Sequence, residues 1–160
     1  MRKASMRVLM ILTVLLSLTS MAMAAAPSVV TYAVHADPMV FWDPAETWAA
    51  EIKVFQNIYE SLVRIIPGQP DQFIPVLAES WEESADKLSW RFKLRKGVKF
   101  HSGLEMNAHV AAESLNRTIK GNKGAVYIFD GVKEIRAMDD NTLEFLLERP
   151  LPMLYIVSSG

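Results

Sequence analysis

The sequence predicts an α+β fold. Three observations carry this expectation. Trp90, Phe92 and Leu94 alternate with Arg91, Lys93 and Arg95, the period-two signature of a half-buried strand. Trp48, Ile52, Phe55, Tyr59 and Leu62 recur at helical spacing and line one face. Residues 132–138 (VKEIRAM) and 141–148 (NTLEFLLE) read as two strands of a hairpin joined at Asp139-Asp140. The order of elements is mixed rather than a regular βαβ alternation, which gives the α+β (mixed α/β) class.

In chain order, residues 1–24 read as an export signal. Arg2, Lys3 and Arg7 precede an apolar run at 8–18, and Ala22-Met23-Ala24 supplies a small-residue cleavage site. About eleven apolar residues fall short of the roughly 20 needed to span a bilayer. The alternative is an uncleaved membrane anchor. With cleavage after Ala24 the mature chain keeps 14 of the 17 Lys and Arg residues against 18 Asp and Glu, a net charge of −4. That charge disfavours nucleic acid, where neutralised phosphates supply most of the affinity. The chain holds no cysteine, so it has neither disulfides nor the acylated cysteine of a lipoprotein. These features predict a periplasmic protein with no stable membrane insertion of its mature chain.

Residues 28–34 (SVVTYAV) predict a short strand. Two Asp-Pro pairs, Asp37-Pro38 and Asp43-Pro44, then mark a loop. Asp43 suits a helix cap, Pro44 the first helical position, and Glu46 the reciprocal place of a capping box. A helix is expected over 45–64. Pro67-Gly68 and residues 69–71 read as turns, and residues 77–84 as a connector. After the strand at 90–94 the chain turns at Lys96-Gly97, and Val98 and Phe100 begin a second apolar run. Asn107 can cap a second helix with Ala108, Ala111, Leu115 and Ile119 on its apolar face. Residues 121–124 (GNKG) predict a flexible loop. Pro150 and Pro152 end the hairpin, and residues 151–160 form a last apolar segment.

Chemistry-bearing patterns are scarce. His35, His101 and His109 fall in no metal-ligand spacing. No G-x-S-x-G, P-loop or G-x-G-x-x-G is present, and no nucleophile stands beside a base. The expected protein is therefore not an enzyme and carries no cofactor. The basic, aromatic-rich stretch at 90–103 reads as one strand's wet and greasy faces. The loop at 35–44 differs, because Phe41 and Trp42 lie between a strand and a helix. Such loops are frequent ligand contacts, although either ring can equally plug the gap between the two elements.

Three longer motifs carry a resemblance. They are N-x-Y-E-S-L-V at 57–63, L-A-E-S-W-E at 77–82 and F-x-L-R-K-G-V-K-F-H-x-G at 92–103, followed by A-E-S-L-N-R at 112–117. The chain resembles the family 5 extracytoplasmic solute-binding proteins of ABC importers, which bind peptides, oligopeptides or nickel. The resemblance implies a two-lobed clamp that captures a peptide or similar small solute without covalent chemistry. A permease and an ATPase would be its partners. It also implies that Met39, Phe41, Trp42 and Asp43 face the ligand. Ser102 stands where the family has Asp, Asn107 where it has a Thr cap, and Val110 where it has an acid. Family members run to several hundred residues. Residues 25–160 are thus expected to be the N-terminal part of lobe I, truncated or partial, with the second lobe absent. The alternatives are a receptor for nickel, a metal chelate or another small solute, or a stand-alone exported binding module.

Overall fold

The computed structural model describes Thr31 and residues 43–46, 54–121 and 124–158. The chain divides into two units, residues 1–33 and 34–160. Of the first, Thr31 is described, and it is exposed. The rest of the predicted strand at 28–34 lies outside the described residues.

In the second unit six strands and two helices are described. β1 (Val63–Ile66) and β2 (Gln69–Pro75) form an antiparallel hairpin across the Pro67-Gly68 turn. β3 (Ala78–Glu83), β4 (Ser89–Leu94), β5 (Val132–Asp139) and β6 (Thr142–Leu147) form an antiparallel sheet in the order β3-β4-β6-β5. Helix α1 (Ala108–Gly121) runs between β4 and β5, and a short helix α2 (Met153–Ile156) follows β6. A 3-10 segment, Gly124–Phe129, links α1 to β5. No described helix is long and apolar enough to cross a membrane.

The alternation in β4 sets the two faces of this sheet. Phe92 and Leu94 are buried, while Arg91 and Lys93 are exposed. Register carries that division into the neighbours: Phe92 pairs with Trp81 and Leu143, and Trp90 with Phe145. On this apolar face Phe92 meets Phe145 edge-on at 5.4 Å. Met106, Ala108 and Ala112 join the same core, as do Met153 and Val157. Each large side chain buried there contributes about 1.5–3 kcal/mol of hydrophobic free energy. Asn116 of α1 donates from Nδ2 to the Ile135 carbonyl at 2.6 Å, which fixes the helix on β5. As expected from its sequence, Asn107 caps α1, accepting the Val110 N–H at Oδ1, 3.0 Å away.

Four expectations need correction. The helix expected over 45–64 does not reach Arg64. A 3-10 turn occupies Pro44–Glu46, residues 54–55 are helical, and 56–58 form a turn. Residues 47–53 lie outside the description. Val63 and Arg64 belong to β1, because the β-branched run Val63, Ile65 and Ile66 leads into a Pro-Gly turn and favours a hairpin. Residues 69–71 are not a turn but the start of β2, whose mostly exposed strand tolerates Pro70 and Pro75. The connector at 77–84 is the edge strand β3. A register shift between Ala78 and Ser80 breaks its alternation, which hides it from a period-two reading. Of the loop expected at 121–124, Gly121 instead ends α1 and Gly124 opens the 3-10 segment, while residues 122–123 lie outside the described residues.

Candidate functional site

Met39, Phe41 and Trp42 lie outside the described residues. Asp43, the fourth residue of that candidate set, opens the Pro44–Glu46 turn as a capping residue. Its Oδ1 accepts the Ala45 N–H at 2.9 Å, and its carbonyl accepts the Glu46 N–H at 2.9 Å. The sequence leads to this arrangement directly, because Asp before Pro combines a short acceptor with a preset φ.

The same carboxylate meets a partner on α1. Arg117 donates from Nη1 to Asp43 Oδ2 and from Nη2 to Oδ1, both at 2.8 Å. Two parallel charge-assisted bonds of this kind fix orientation as well as distance. The Arg117 hydrogen bond, helped by the Ala45 N–H, holds the Asp43 carboxyl down at about 2 against a small opposing effect of burial. Asp43 in turn raises the Arg117 guanidinium above its ordinary value. The carboxylate is thus ionised across the physiological range and already engaged by the protein's own groups.

Two cations of the basic stretch at 90–103, Arg91 and Lys93, are engaged as well. On the polar face of the sheet, Glu82, Arg91, Glu144 and Arg136 stand side by side across four strands. Arg91 donates to Glu144 at 2.8 Å, and Arg136 Nη2 lies 2.7 Å from the other carboxylate oxygen. Glu144 is only 2% exposed, so it needs both guanidiniums. Burial alone would raise its pKa. The hydrogen bonds from Arg91 and Arg136 outweigh that effect and lower it. Lys93 reaches Thr142 Oγ1 at 3.3 Å and Asp139 at 3.9 Å. The exposed cations of β4 are thus held on the polar face of the sheet.

Beyond β4 the chain makes a tight loop. Phe100 N–H donates to the Leu104 carbonyl and Gly103 N–H to the Phe100 carbonyl, each at 2.8 Å. Gly103 has a φ of 86°, the left-handed conformation that favours glycine. The motif F-H-x-G therefore encodes a turn. Ser102, where the resemblance expects Asp, is exposed in it, and His101 is exposed beside it. His109 lies 3.4 Å from Asp140, with both side chains in solvent. Among the described residues no three His, Asp or Glu side chains converge as metal ligands.

Sequence reasoning did not single out Arg117 or Glu144. Glu144 leaves one readable trace, an acid inside the apolar run T-L-E-F-L-L, which demands a partner when buried. Arg117 leaves none, because its partner lies 74 residues away.

Comparison with known proteins agrees with this architecture. Residues 72–160 match the profile described as bacterial extracellular solute-binding proteins, family 5 Middle. The heme-binding protein A of Haemophilus influenzae is 36% identical over 113 residues, covering 59% of this chain and 20% of that protein. The dipeptide-binding protein of Escherichia coli is 35% identical over 112 residues, covering 58% of this chain and 21% of that protein. The solved structure of the ABC transporter-associated periplasmic binding protein DppA from Helicobacter pylori, in complex with the peptide STSA, superposes with a TM-score of 0.59 at 30% identity. That match covers 72% of this chain and 27% of the other. The chain thus spans about one fifth of the length of the curated relatives it matches.

Proposed function

The chain belongs to the bacterial extracellular solute-binding proteins of family 5, and on that premise we propose that it serves as the substrate-binding component of an ABC importer. Its cargo is a peptide or a similar small solute. It works in the periplasm, with residues 1–24 as a cleaved export signal and residues 25–160 as the N-terminal portion of the binding domain. A permease and an ATPase receive the cargo. The protein binds and releases its solute without making or breaking a covalent bond.

The observation that carries this reading is the family match over 72–160, which covers the whole β3-β4-β6-β5 sheet and α1. The peptide-binding proteins it resembles favour peptides. A second reading, haem or a nickel chelate as cargo, is favoured by the heme-binding relative and by a nickel-binding periplasmic relative from Escherichia coli.

Binding in this class is domain closure around a solute, so selectivity follows from the groups that meet it. Phe41 and Trp42 supply apolar contact area at low conformational cost. Asp43, being engaged by Arg117, acts by shaping the loop.

Isothermal titration of the purified full chain decides the cargo, with alanyl-alanine, tetra-alanine, haem and nickel–histidine as probes. Micromolar binding of a peptide, about −8 kcal/mol, is expected. Haem or nickel–histidine binding without peptide binding would shift the assignment to the second reading. Silence with all four probes would remove the receptor reading.

A further inference from the structure

We propose that the loop at 95–104 is a contact tip for an anionic lipid surface, with Phe100 and Leu104 entering the headgroup region while Arg95, Lys96 and Lys99 meet the lipid phosphates. The tip is built outward from the core. Leu94 precedes it and Met106 follows it, and both are buried. Between them the Arg95 N–H donates to the Leu77 carbonyl and the Met106 N–H to the Val98 carbonyl, each at 2.8 Å. Lys99 and Glu105 then form an antiparallel bridge, and the bond from Phe100 N–H to the Leu104 carbonyl ties the two arms beyond it. The backbone is fixed out to its end, yet Phe100 is 43% and Leu104 70% exposed. Among the described residues no large hydrophobic side chain is more exposed than Leu104. One exposed apolar residue is ordinary. Two on facing arms of a tied loop are a feature of that loop.

The cations of the stretch divide in the same way. Arg91 and Lys93 are paired on the sheet face. Arg95, Lys96 and Lys99 are exposed, and no ion pair among the described residues holds them. Three cations against one acid, Glu105, give residues 95–105 a net charge of +2 with His101 neutral. Apolar side chains at the end of a loop and unpaired cations along it are the combination that an anionic bilayer surface complements. A specific protein interface buries about 800 Å² on each partner, which two side chains on a narrow loop do not supply. A lipid surface needs no such area, because each group that enters it contributes separately. The contact is peripheral, and it requires neither cargo nor the receptor reading.

The chain has no cysteine, so Ser102→Cys places a single polarity-sensitive fluorophore at the tip, and Ser114→Cys places one on the exposed side of α1 as a control. The full chain is mixed with vesicles of phosphatidylcholine alone, or of phosphatidylcholine and phosphatidylglycerol in equal parts. With the anionic vesicles the label at 102 is expected to shift to the blue and brighten, and to lose that response in high salt. The label at 114 is expected to stay unchanged. Added to the 102-labelled chain, Lys96→Gln with Lys99→Gln is expected to weaken vesicle affinity at least about tenfold. Leu104→Ser is expected to reduce the blue shift. These side chains are exposed, and the charge and apolar variants are independent, so either one keeps the test open if the other fails to fold. An unresponsive label at 102 overturns the proposal. Equal responses at 102 and 114 also overturn it, since they would mean adsorption of the whole chain through another segment such as the apolar run at 8–18. A response to phosphatidylcholine alone as strong as to the anionic vesicles overturns the role of the cations, and with it the proposal.

Discussion

Arg91 and Glu144 face each other across β4 and β6, and the guanidinium Nε donates to the carboxylate at 2.8 Å. Arg136 closes on the same carboxylate from β5 at 2.9 Å. An acid thereby sits in the middle strand of the sheet without being stranded there. Glu144→Gln keeps the shape and loses the charge, so it is expected to cost about 1–3 kcal/mol. Glu144→Ala is expected to cost more, because a cavity is added to the lost bonds. Arg91→Ala should cost less than either, since Arg136 still holds the carboxylate. Urea unfolding of the three variants checks this order.

Acid should weaken the same contacts in a defined window. Asp43 has an ordinary value of 3.8 and is held at about 2 in the fold. A depressed carboxyl contributes stability that is fully present above its unfolded value and lost as pH falls through its folded one. The contribution of Asp43 is therefore intact at pH 6 and disappears between about pH 4 and pH 2. Glu144 is lowered as well and acts in the same direction. Denaturant midpoints of wild type and Asp43→Asn are expected to differ at pH 6 and to converge as the pH approaches 2. A gap that widened in acid would contradict the assignment.

Helix α1 begins with no acidic residue in its first turn. Val110 occupies the place of the missing acid and is 40% exposed, so replacing it loses little packing. Val110→Glu should stabilise the protein by about 0.3–1 kcal/mol through the helix dipole, with the gain shrinking in high salt. Asn107→Ala removes the cap and should cost about 1 kcal/mol. Thermal melts at low and high ionic strength separate the two effects.

Phe92 is fully buried and packs edge-on against Phe145. Phe92→Ala is expected to cost about 3–5 kcal/mol, a large share of the stability of a domain this size. Phe92→Leu should cost much less. Chemical denaturation gives both numbers, and a near-neutral Phe92→Ala would mean that the core is not centred on β4.

Legibility in the sequence followed the physics of burial. β4 was readable because its residues alternate between an apolar and a polar face, and β5 and β6 because they flank a turn that Asp139 stabilises itself. Its Oδ1 accepts the Asn141 N–H at 2.7 Å. β2 and β3 were not, since the first is exposed along most of its length and a register shift interrupts the second. The helix period that ran on to Leu62 counted apolar residues that β1 and its flank use instead. Of the candidate site, the capping role of Asp43 was visible locally in Asp-Pro. Its grip by Arg117 was not, because tertiary contacts across 74 residues leave no mark on local pattern.

The strand order β3-β4-β6-β5 also bears on how the chain folds. β4 pairs with β6, so Ser89 must find Leu146 across the whole of α1 and the 3-10 segment. Closing so long a loop carries an entropy cost that the β5–β6 and β3–β4 hairpins avoid. Those hairpins and α1 can form early from neighbouring residues. The β4–β6 seam, with Glu144 desolvated along it, must wait for both halves. Variants within the early hairpins should therefore slow refolding, whereas variants confined to the late seam should mainly speed unfolding.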